Sequence, residues 1–122
     1  MSDVLQLADA FFAAVASGDI DAVSSFYRDD VTVWHNYDEI DQTKAENLAT
    51  LGSIPERYDS FGYAEARVVA LPDGFIRQHV IQASRGGKDA RVPAILRVFV
   101  DGDKIHRIEE YFDRGQLTNA LA

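Results

Sequence analysis

Apolar residues recur at helical spacing near the start of the chain. Leu7, Phe11 and Val15 belong to a series at i, i+3, i+4 and i+7, which predicts an amphipathic helix. Gly18 is suited to the left-handed position that ends a helix. One of two aspartates shortly afterwards, at 19 or 21, can then cap a second, shorter helix that runs to residue 26.

The apolar pattern then changes from helical to strand-like. Residues 31–36, "VTVWHN", begin with β-branched side chains and predict the first strand. Thr43 and Glu46 have the spacing of a capping box, which predicts a third helix over residues 44–53.

The remainder of the chain predicts β-structure followed by a short helix. Turn-forming residues separate four strand-like segments, at 60–71, 75–84, 90–100 and 104–112. Pro93 indicates a bulge or an edge near the start of the third of these segments. The element order is therefore α-α-β-α, then a four-stranded antiparallel meander and a terminal helix.

Composition limits the chemistry. At 122 residues and 47% hydrophobic, the chain is long enough for one domain, which we expect to span 1–122. It has no cysteine, which excludes disulfides, thiolate chemistry and cysteine-based zinc sites. Its three histidines lack metal-ligand spacing, and "RGGK" is a hairpin turn rather than a phosphate loop. We therefore expect no metal and no cofactor.

Charge and hydropathy limit the partners. A net charge of −8 disfavours nucleic acid, and no apolar run is long enough to span a membrane. The acidic, periodic N-terminus is typical of a helix of the mature protein rather than of a signal peptide, so we expect a cytoplasmic location.

Two segments resemble a known superfamily. "FFAAVASGDIDAVSSFYRDDVTV" (11–33) and "DGDKIHRIEEYFDRGQL" (101–117) are similar to sequences of SnoaL-like polyketide cyclases. The element order resembles that of ketosteroid isomerase, scytalone dehydratase, limonene epoxide hydrolase and nuclear transport factor 2. The resemblance implies an α+β, cone-shaped nuclear transport factor 2-like fold. In it a curved antiparallel sheet wraps around three N-terminal helices and leaves an apolar pocket for a small apolar or polyketide-like molecule.

Comparison with ketosteroid isomerase argues against that activity. The positions of its Asp base, its helix-one Tyr and its protonated Asp correspond here to His35, Phe11 and Leu96. The oxyanion hole that stabilises a dienolate is therefore missing.

Limonene epoxide hydrolase and scytalone dehydratase each match in part. "EEYFD" resembles the final-strand motif of the hydrolase, which implies that Glu110 activates water and that Trp34 and Asn36 help to hold it. The hydrolase's Arg–Asp pair is not reproduced, since "RQHVIQ" aligns there. "QHVI" at 78–81 resembles a strand of the dehydratase, which implies a catalytic His79, although the dehydratase's Tyr–Asp pair is absent.

Strand alternation gives an independent indication for two of these residues. Glu110 shares a face with Ile108 and Phe112, so an inward orientation would raise its basicity by partial desolvation, whereas the opposite parity would leave it solvated. His79 shares a face with Phe75, where an imidazole is either a proton shuttle or a core residue.

Other candidates have more than one interpretation. The hydrolase resemblance turns Trp34 and Asn36 inward, and the isomerase resemblance turns His35 inward. Arg97 either stabilises an oxyanion or pairs with Glu110, or it belongs to an edge or a dimer surface. Asp113 fits a helix N-cap better than a site residue.

The leading hypothesis is a small cofactor-independent acid/base enzyme that performs dehydration or isomerisation, cyclisation, or epoxide hydration. Glu110 and His79 form the expected acid/base pair, and Asn36 or His35 orients water or a substrate oxygen. Apolar walls are expected from Trp34, Tyr63, Phe75 and Phe112. The alternative is a non-catalytic small-ligand-binding or dimerisation module. Either hypothesis predicts a homodimer through the outer face of the sheet, which is also rich in Val, Ile and Phe.

Overall fold

A curved, mostly antiparallel sheet packs against helices in the computed structural model, which describes residues 3–122. The helices are α1 (Val4–Ser17), α2 (Ile20–Phe26), α3 (Lys44–Gly52), α4 (Ile54–Arg57) and α5 (Arg114–Ala120). The strands are β1 (Tyr27–His35), β2 (Asp41–Gln42), β3 (Ser60–Leu71), β4 (Gly74–Arg85), β5 (Lys88–Asp101) and β6 (Lys104–Phe112). The predicted α+β fold is confirmed.

The strand order creates the setting for the site. The order is β2-β1-β6-β5-β4-β3, and the last four strands of the sequence form the predicted antiparallel meander. β1 joins the meander by parallel pairing with β6, which puts His35 in register with Glu110. Two segments that are far apart in sequence therefore end side by side.

Local signals determine where the helices begin and end. Gly18 adopts φ 74° and ends α1, as its position predicted. Of the two candidate caps for α2, Asp19 is the one used, since its carboxylate accepts a hydrogen bond from the backbone N–H of Ala22 at 3.1 Å. Thr43 and Glu46 form the predicted capping box at the start of α3.

The core lies between α1 and the concave face of the sheet, the inner face. Leu7, Phe11 and Val15 of α1 are buried there, as their spacing predicted. Phe75 is completely buried in the same cluster, paired in register with Val98. The prediction that Phe75 lines the pocket is wrong, because this early position of β4 lies under the helices rather than at the pocket.

Irregularities in the sheet occur at specific positions. The register of β3 shifts between Ala64 and Arg67, where Glu65 has φ 56°. Pro93 does not form a bulge, since pairing with β4 continues through it. It lies at an edge instead, because pairing of β5 with β6 begins only at Ala94.

Two short elements were not predicted. β2 has two residues and α4 has four, which is too short for any periodic signal. None of the helices described over residues 3–122 is long and apolar enough to cross a membrane.

Candidate active site

The parallel pairing of β1 with β6 brings an imidazole and a carboxylate together. His35 Nε2 lies 3.0 Å from Glu110 Oε1, and the two side chains are 10% and 16% exposed. His35 is thus the inward-facing residue of its triplet, and Glu110 has the inward parity that its row of apolar neighbours predicted. The contact is short enough for a proton to pass between the two groups.

The two neighbours of His35 have other surroundings. Trp34 lies on the outer face of the sheet, where its ring packs at 5.2 Å from that of Tyr111, so the prediction that it is a pocket wall is wrong. Asn36 follows the strand and extends the ladder. Its N–H donates to the carbonyl of Glu110 at 3.1 Å, and its side-chain oxygen accepts from the N–H of Phe112 at 3.0 Å. Asn36 therefore holds the end of β6 by backbone contacts, and its carboxamide oxygen is used there rather than for orienting water.

The sequence led us to expect that His79 pairs with Glu110, and the structure shows that it does not. β5 separates their strands, and His79 Nδ1 instead accepts a hydrogen bond from Arg77 Nε at 2.8 Å. Its ring stacks on Tyr63 at 4.3 Å, and Nε2 is buried without a partner among residues 3–122. Burial, together with the Arg77 charge, lowers the pKa of His79 to about 3. The imidazole is therefore neutral near pH 7.

Arg97 lies away from the pocket. Its guanidinium donates to the carbonyl of Val98 at 2.9 Å, pairs with Asp73 and lies 4.0 Å from the centre of the Phe99 ring. The predicted roles as an oxyanion donor or a Glu110 partner are wrong, because alternation along β5 directs Leu96 inward and Arg97 outward.

The site contains an outer cavity of about 400 Å³ and a small inner chamber of about 50 Å³, which share part of their lining. His35, Glu110 and Tyr63 line both spaces. Phe112 lines the outer cavity, so it and Tyr63 occupy the positions expected of pocket walls. The chamber is otherwise mostly apolar, with Phe11, Phe12, Val15, Val33, Leu51, Leu96 and Ile108 around it.

A chain of hydrogen bonds fixes the polar side of the chamber. The Tyr27 hydroxyl donates to Asn47 Oδ1 at 2.7 Å, and Asn47 Nδ2 donates to Gln42 Oε1 at 3.0 Å. Gln42 Nε2 donates in turn to Thr50 Oγ1 at 3.2 Å. Because the Tyr27 proton is committed to Asn47, the oxygen of Tyr27 can act toward the chamber as an acceptor.

Burial keeps the two pocket phenols protonated. The pKa of Tyr27 is raised by burial and then by the Glu110 charge. The pKa of Tyr63 is raised by the same two causes in the same order, against a smaller opposing effect of Arg77. Unlike Tyr27, Tyr63 makes no side-chain hydrogen bond within residues 3–122, so its O–H can donate to a ligand.

Tyr27 and Asn47 were not predicted as site residues. A signal was present for Asn47, because it has the i, i+4, i+7 spacing of one helix face with Leu51 and Ile54. In the structure, Asn47 is 3% exposed. A polar residue in an apolar stripe usually has a buried partner. Tyr27 stands at a helix–strand junction, where periodicity gives no orientation.

Asp113 caps α5 rather than lining the cavity near the dyad. Its carboxylate accepts hydrogen bonds from the N–H groups of Gly115 at 2.9 Å and Gln116 at 3.3 Å.

Among the residues that the structure describes, no three His, Cys, Asp or Glu side chains gather as metal ligands do. The chemical groups of the site are thus an imidazole, a carboxylate and two phenols, a set suited to proton transfer.

Comparisons with known proteins agree with this architecture. The model of the SnoaL-like domain matches residues 8–108, whereas no curated protein matches the chain by sequence. A candidate polyketide cyclase from Pseudomonas putida is 20% identical, with a TM-score of 0.87 and coverage of 100% of both chains. A protein with a ketosteroid isomerase-like fold from Catenulispora acidiphila is 13% identical, with a TM-score of 0.83 and coverage of 95% of this chain and 93% of that one.

An LEH-like epoxide hydrolase from M. tuberculosis has the same fold. It is 18% identical, with a TM-score of 0.77 and coverage of 97% of this chain and 88% of that one. Identities this low establish a shared fold and leave the reaction open. The family match extends over most of the sequence, and the chain belongs to the SnoaL-like domain family.

Proposed function

We propose that this protein is a small acid/base enzyme that needs no cofactor and acts on a small, mostly apolar carbonyl compound. The observation that carries the proposal is the 3.0 Å contact between His35 Nε2 and Glu110 Oε1 at a largely apolar chamber. Dehydration or isomerisation fits this set of groups best. Cyclisation, the reaction type named for the P. putida relative, needs the same first step.

The proposed reaction begins with proton abstraction from carbon. Glu110 takes the proton from a C–H next to the substrate carbonyl, and the electron pair of that bond forms an enolate. The enolate oxygen accepts a hydrogen bond from the Tyr63 O–H, which burial keeps protonated. This contact stabilises the charge that develops in the transition state.

The second step eliminates water in a dehydration, or moves a proton in an isomerisation. In the reacting form of the pair, His35 begins protonated and Glu110 begins ionised. His35 donates its proton to a hydroxyl on the β-carbon, which leaves as water while the enolate electrons form the C=C bond and the carbonyl is restored. The proton held by Glu110 then returns to His35 across their contact, so that both groups end as they began. In an isomerisation, the proton is delivered to a different carbon instead.

Epoxide hydration is a second candidate, favoured by the room in the inner chamber. At about 50 Å³ it has space for about one or two water molecules beside Glu110. A carboxylate that activates such a water would open an epoxide, the reaction type named for the M. tuberculosis relative.

A mass-spectrometric panel in ¹⁸O-labelled water tests these reactions together. The panel contains β-hydroxy ketones, enones, aldol-forming diketones and apolar epoxides. Loss of water identifies a dehydratase or dehydrating cyclase, and label gained identifies hydration. Glu110→Gln should reduce turnover by about 10²- to 10⁴-fold, the usual contribution of a general acid or base.

Glu109→Gln is the matched control, because Glu109 is the neighbouring carboxylate. It is bound to Arg107 at 2.8 Å and has the opposite strand parity. Equal loss in both variants, or full activity of Glu110→Gln, would refute the assignment. Absence of turnover across the panel would favour the non-catalytic binding module.

A cytoplasmic location remains a prediction from the sequence.

A further inference from the structure

Two arginines stand at the opening of the outer cavity. Arg57, at the end of α4, and Arg114, at the start of α5, both line this space and are exposed. Each guanidinium lies over a tyrosine ring, at 5.2 Å from the centre of Tyr58 and 4.7 Å from that of Tyr37. The opening therefore has two positively charged planar groups supported by aromatic surfaces.

Neither of these arginines forms an ion pair with a carboxylate of residues 3–122. The chain has twenty acidic residues and twelve basic ones. Four other arginines are paired with acidic side chains: Arg28, Arg91, Arg97 and Arg107. The two cations at the cavity opening thus remain available to an anion from outside the chain.

Arg57 is held in place by neutral groups. Its Nε donates to Ser53 Oγ at 2.9 Å, and its Nη2 donates to the carbonyl of Thr50 at 3.2 Å. These bonds fix the guanidinium plane while leaving its charge uncompensated. A fixed guanidinium loses little side-chain entropy when it binds a carboxylate.

Tyr37 connects this opening with the dyad. Its ring stacks on His35 at 5.1 Å and lies beneath Arg114. Burial raises the pKa of Tyr37. Arg114 and Arg57 oppose that shift, and Asp38 and Glu110 add to it. Tyr37 thus lies between Arg114 at the opening and the His35–Glu110 pair below, with Asp38 also at the opening.

We propose that the outer cavity binds a small apolar carboxylate, with its carboxylate between Arg57 and Arg114 and its apolar body directed toward His35 and Glu110. The inference rests on the proposed function for the reacting end of the molecule. Repulsion by Glu110 opposes the reverse orientation. Asp38 also lines the opening, but its carboxylate accepts from the N–H of Ile40 at 3.1 Å and is part of a turn.

Binding measurements with matched probes test the proposal without requiring turnover. The probes are 4-phenylbutyrate, octanoate and cyclohexylacetate, each compared with its uncharged primary alcohol by NMR titration. We expect each acid to bind at least about 10-fold more tightly than its alcohol, because charge-assisted hydrogen bonds are about twice as strong as neutral ones. Added salt should weaken only the acids.

Arginine variants identify the binding groups. Arg114→Gln should weaken acid binding by about 5-fold, as expected for an exposed charge pair, and leave the alcohols unaffected. Arg57→Gln should do the same, and Arg57→Lys should restore part of the loss. Arg91→Gln is the control, since it removes the same charge from an arginine paired with Glu65 on another part of the sheet.

Several outcomes would overturn the proposal: equal affinity for acids and alcohols, acid binding unchanged in both arginine variants, or no binding of any acid at millimolar concentration. Glu110→Gln separates this proposal from the catalytic one. Glu110→Gln should preserve or strengthen acid binding. If this variant binds the acids tightly and its turnover is unaltered, the catalytic role of His35 and Glu110 is refuted and the binding role of the two arginines is supported.

Discussion

The two buried histidines illustrate how neighbouring residues determine the chemistry of a side chain. His35 lies beside a carboxylate, which favours movement of a proton between the two. His79 lies beside a guanidinium, which repels a proton, and its ring is enclosed by Tyr63 and Phe12. The same residue type is thus a candidate acid/base at one position and a neutral support for Tyr63 at the other.

Acid should destabilise the fold through His79. Its pKa is about 3 when folded, against 6.5 for the ordinary side chain, so between these values the unfolded state binds more protons. Stability from this group is complete above pH 6.5 and decreases as the pH falls toward 3. The decrease from pH 7 to pH 5 should be about 2 kcal/mol.

Urea denaturation at several pH values measures this effect. His79→Gln stays neutral and should not show that part of the decrease, whereas the same substitution at the half-buried His106 should retain it. Identical pH dependence in the wild-type protein and His79→Gln would contradict the account.

At the residue scale, the sequence predicted the orientation of Glu110 but not its partner. Alternation with Ile108 and Phe112 was sufficient for the orientation. The partner depends on which strand lies beside β6 and in what register, and no local pattern encodes the parallel pairing with β1. Trp34 was misassigned for the same reason. Which residues of β1 face inward became clear only from the pairing of β1 with β6.

At the element scale, α5 closes one side of the pocket. Leu117 and Leu121 are buried against the sheet beside Ile81 and Val92, and Leu117 lines the outer cavity. The helix has seven residues, which is too short to be stable alone, so it depends on this packing and on its cap. The sequence predicted the helix and the role of Asp113, because an N-cap residue directly after a strand is a local signal.

Loss of the Asp113 cap should destabilise the protein. Asp113→Ala removes the acceptor for two backbone N–H groups and should reduce the free energy of unfolding by about 1 kcal/mol. Asp113→Asn retains a capping oxygen and should preserve most of the stability. Chemical denaturation measures both variants. A large loss of activity in a stable Asp113→Asn protein would instead indicate a role in the reaction.

At the scale of the whole molecule, the element order was predictable because local periodicity and turns encode it. The family was indicated by the resemblance of segments 11–33 and 101–117 to SnoaL-like sequences. The pocket required more information, since its residues come from all six strands and from α1, α3, α4 and α5. Short elements such as α4, which contributes Arg57, gave no signal in the sequence.

We also propose that two copies associate through the outer face of the sheet. Val69, Ile95 and Tyr111 are exposed there, at 58%, 39% and 46%. Analytical ultracentrifugation should detect a dimer, and Ile95→Glu should shift it toward monomer. Ile40→Glu, a change at an exposed loop residue, should leave the dimer intact. A monomeric wild-type protein at high micromolar concentration would refute this proposal.

Deuterium exchange tests the central claim, proton transfer by His35 and Glu110, most directly. Small apolar ketones and keto acids are incubated with the protein in D₂O, and NMR follows deuterium incorporation next to the carbonyl. Exchange requires proton abstraction but no particular product. We predict exchange by the wild-type protein and by Glu109→Gln, and a loss of about 10²-fold or more in Glu110→Gln, which lacks the base. His35→Gln should lose less, because it interrupts only the onward transfer of the proton from Glu110. Undiminished exchange in both dyad variants, or no exchange of a ketone that demonstrably binds, would contradict the account.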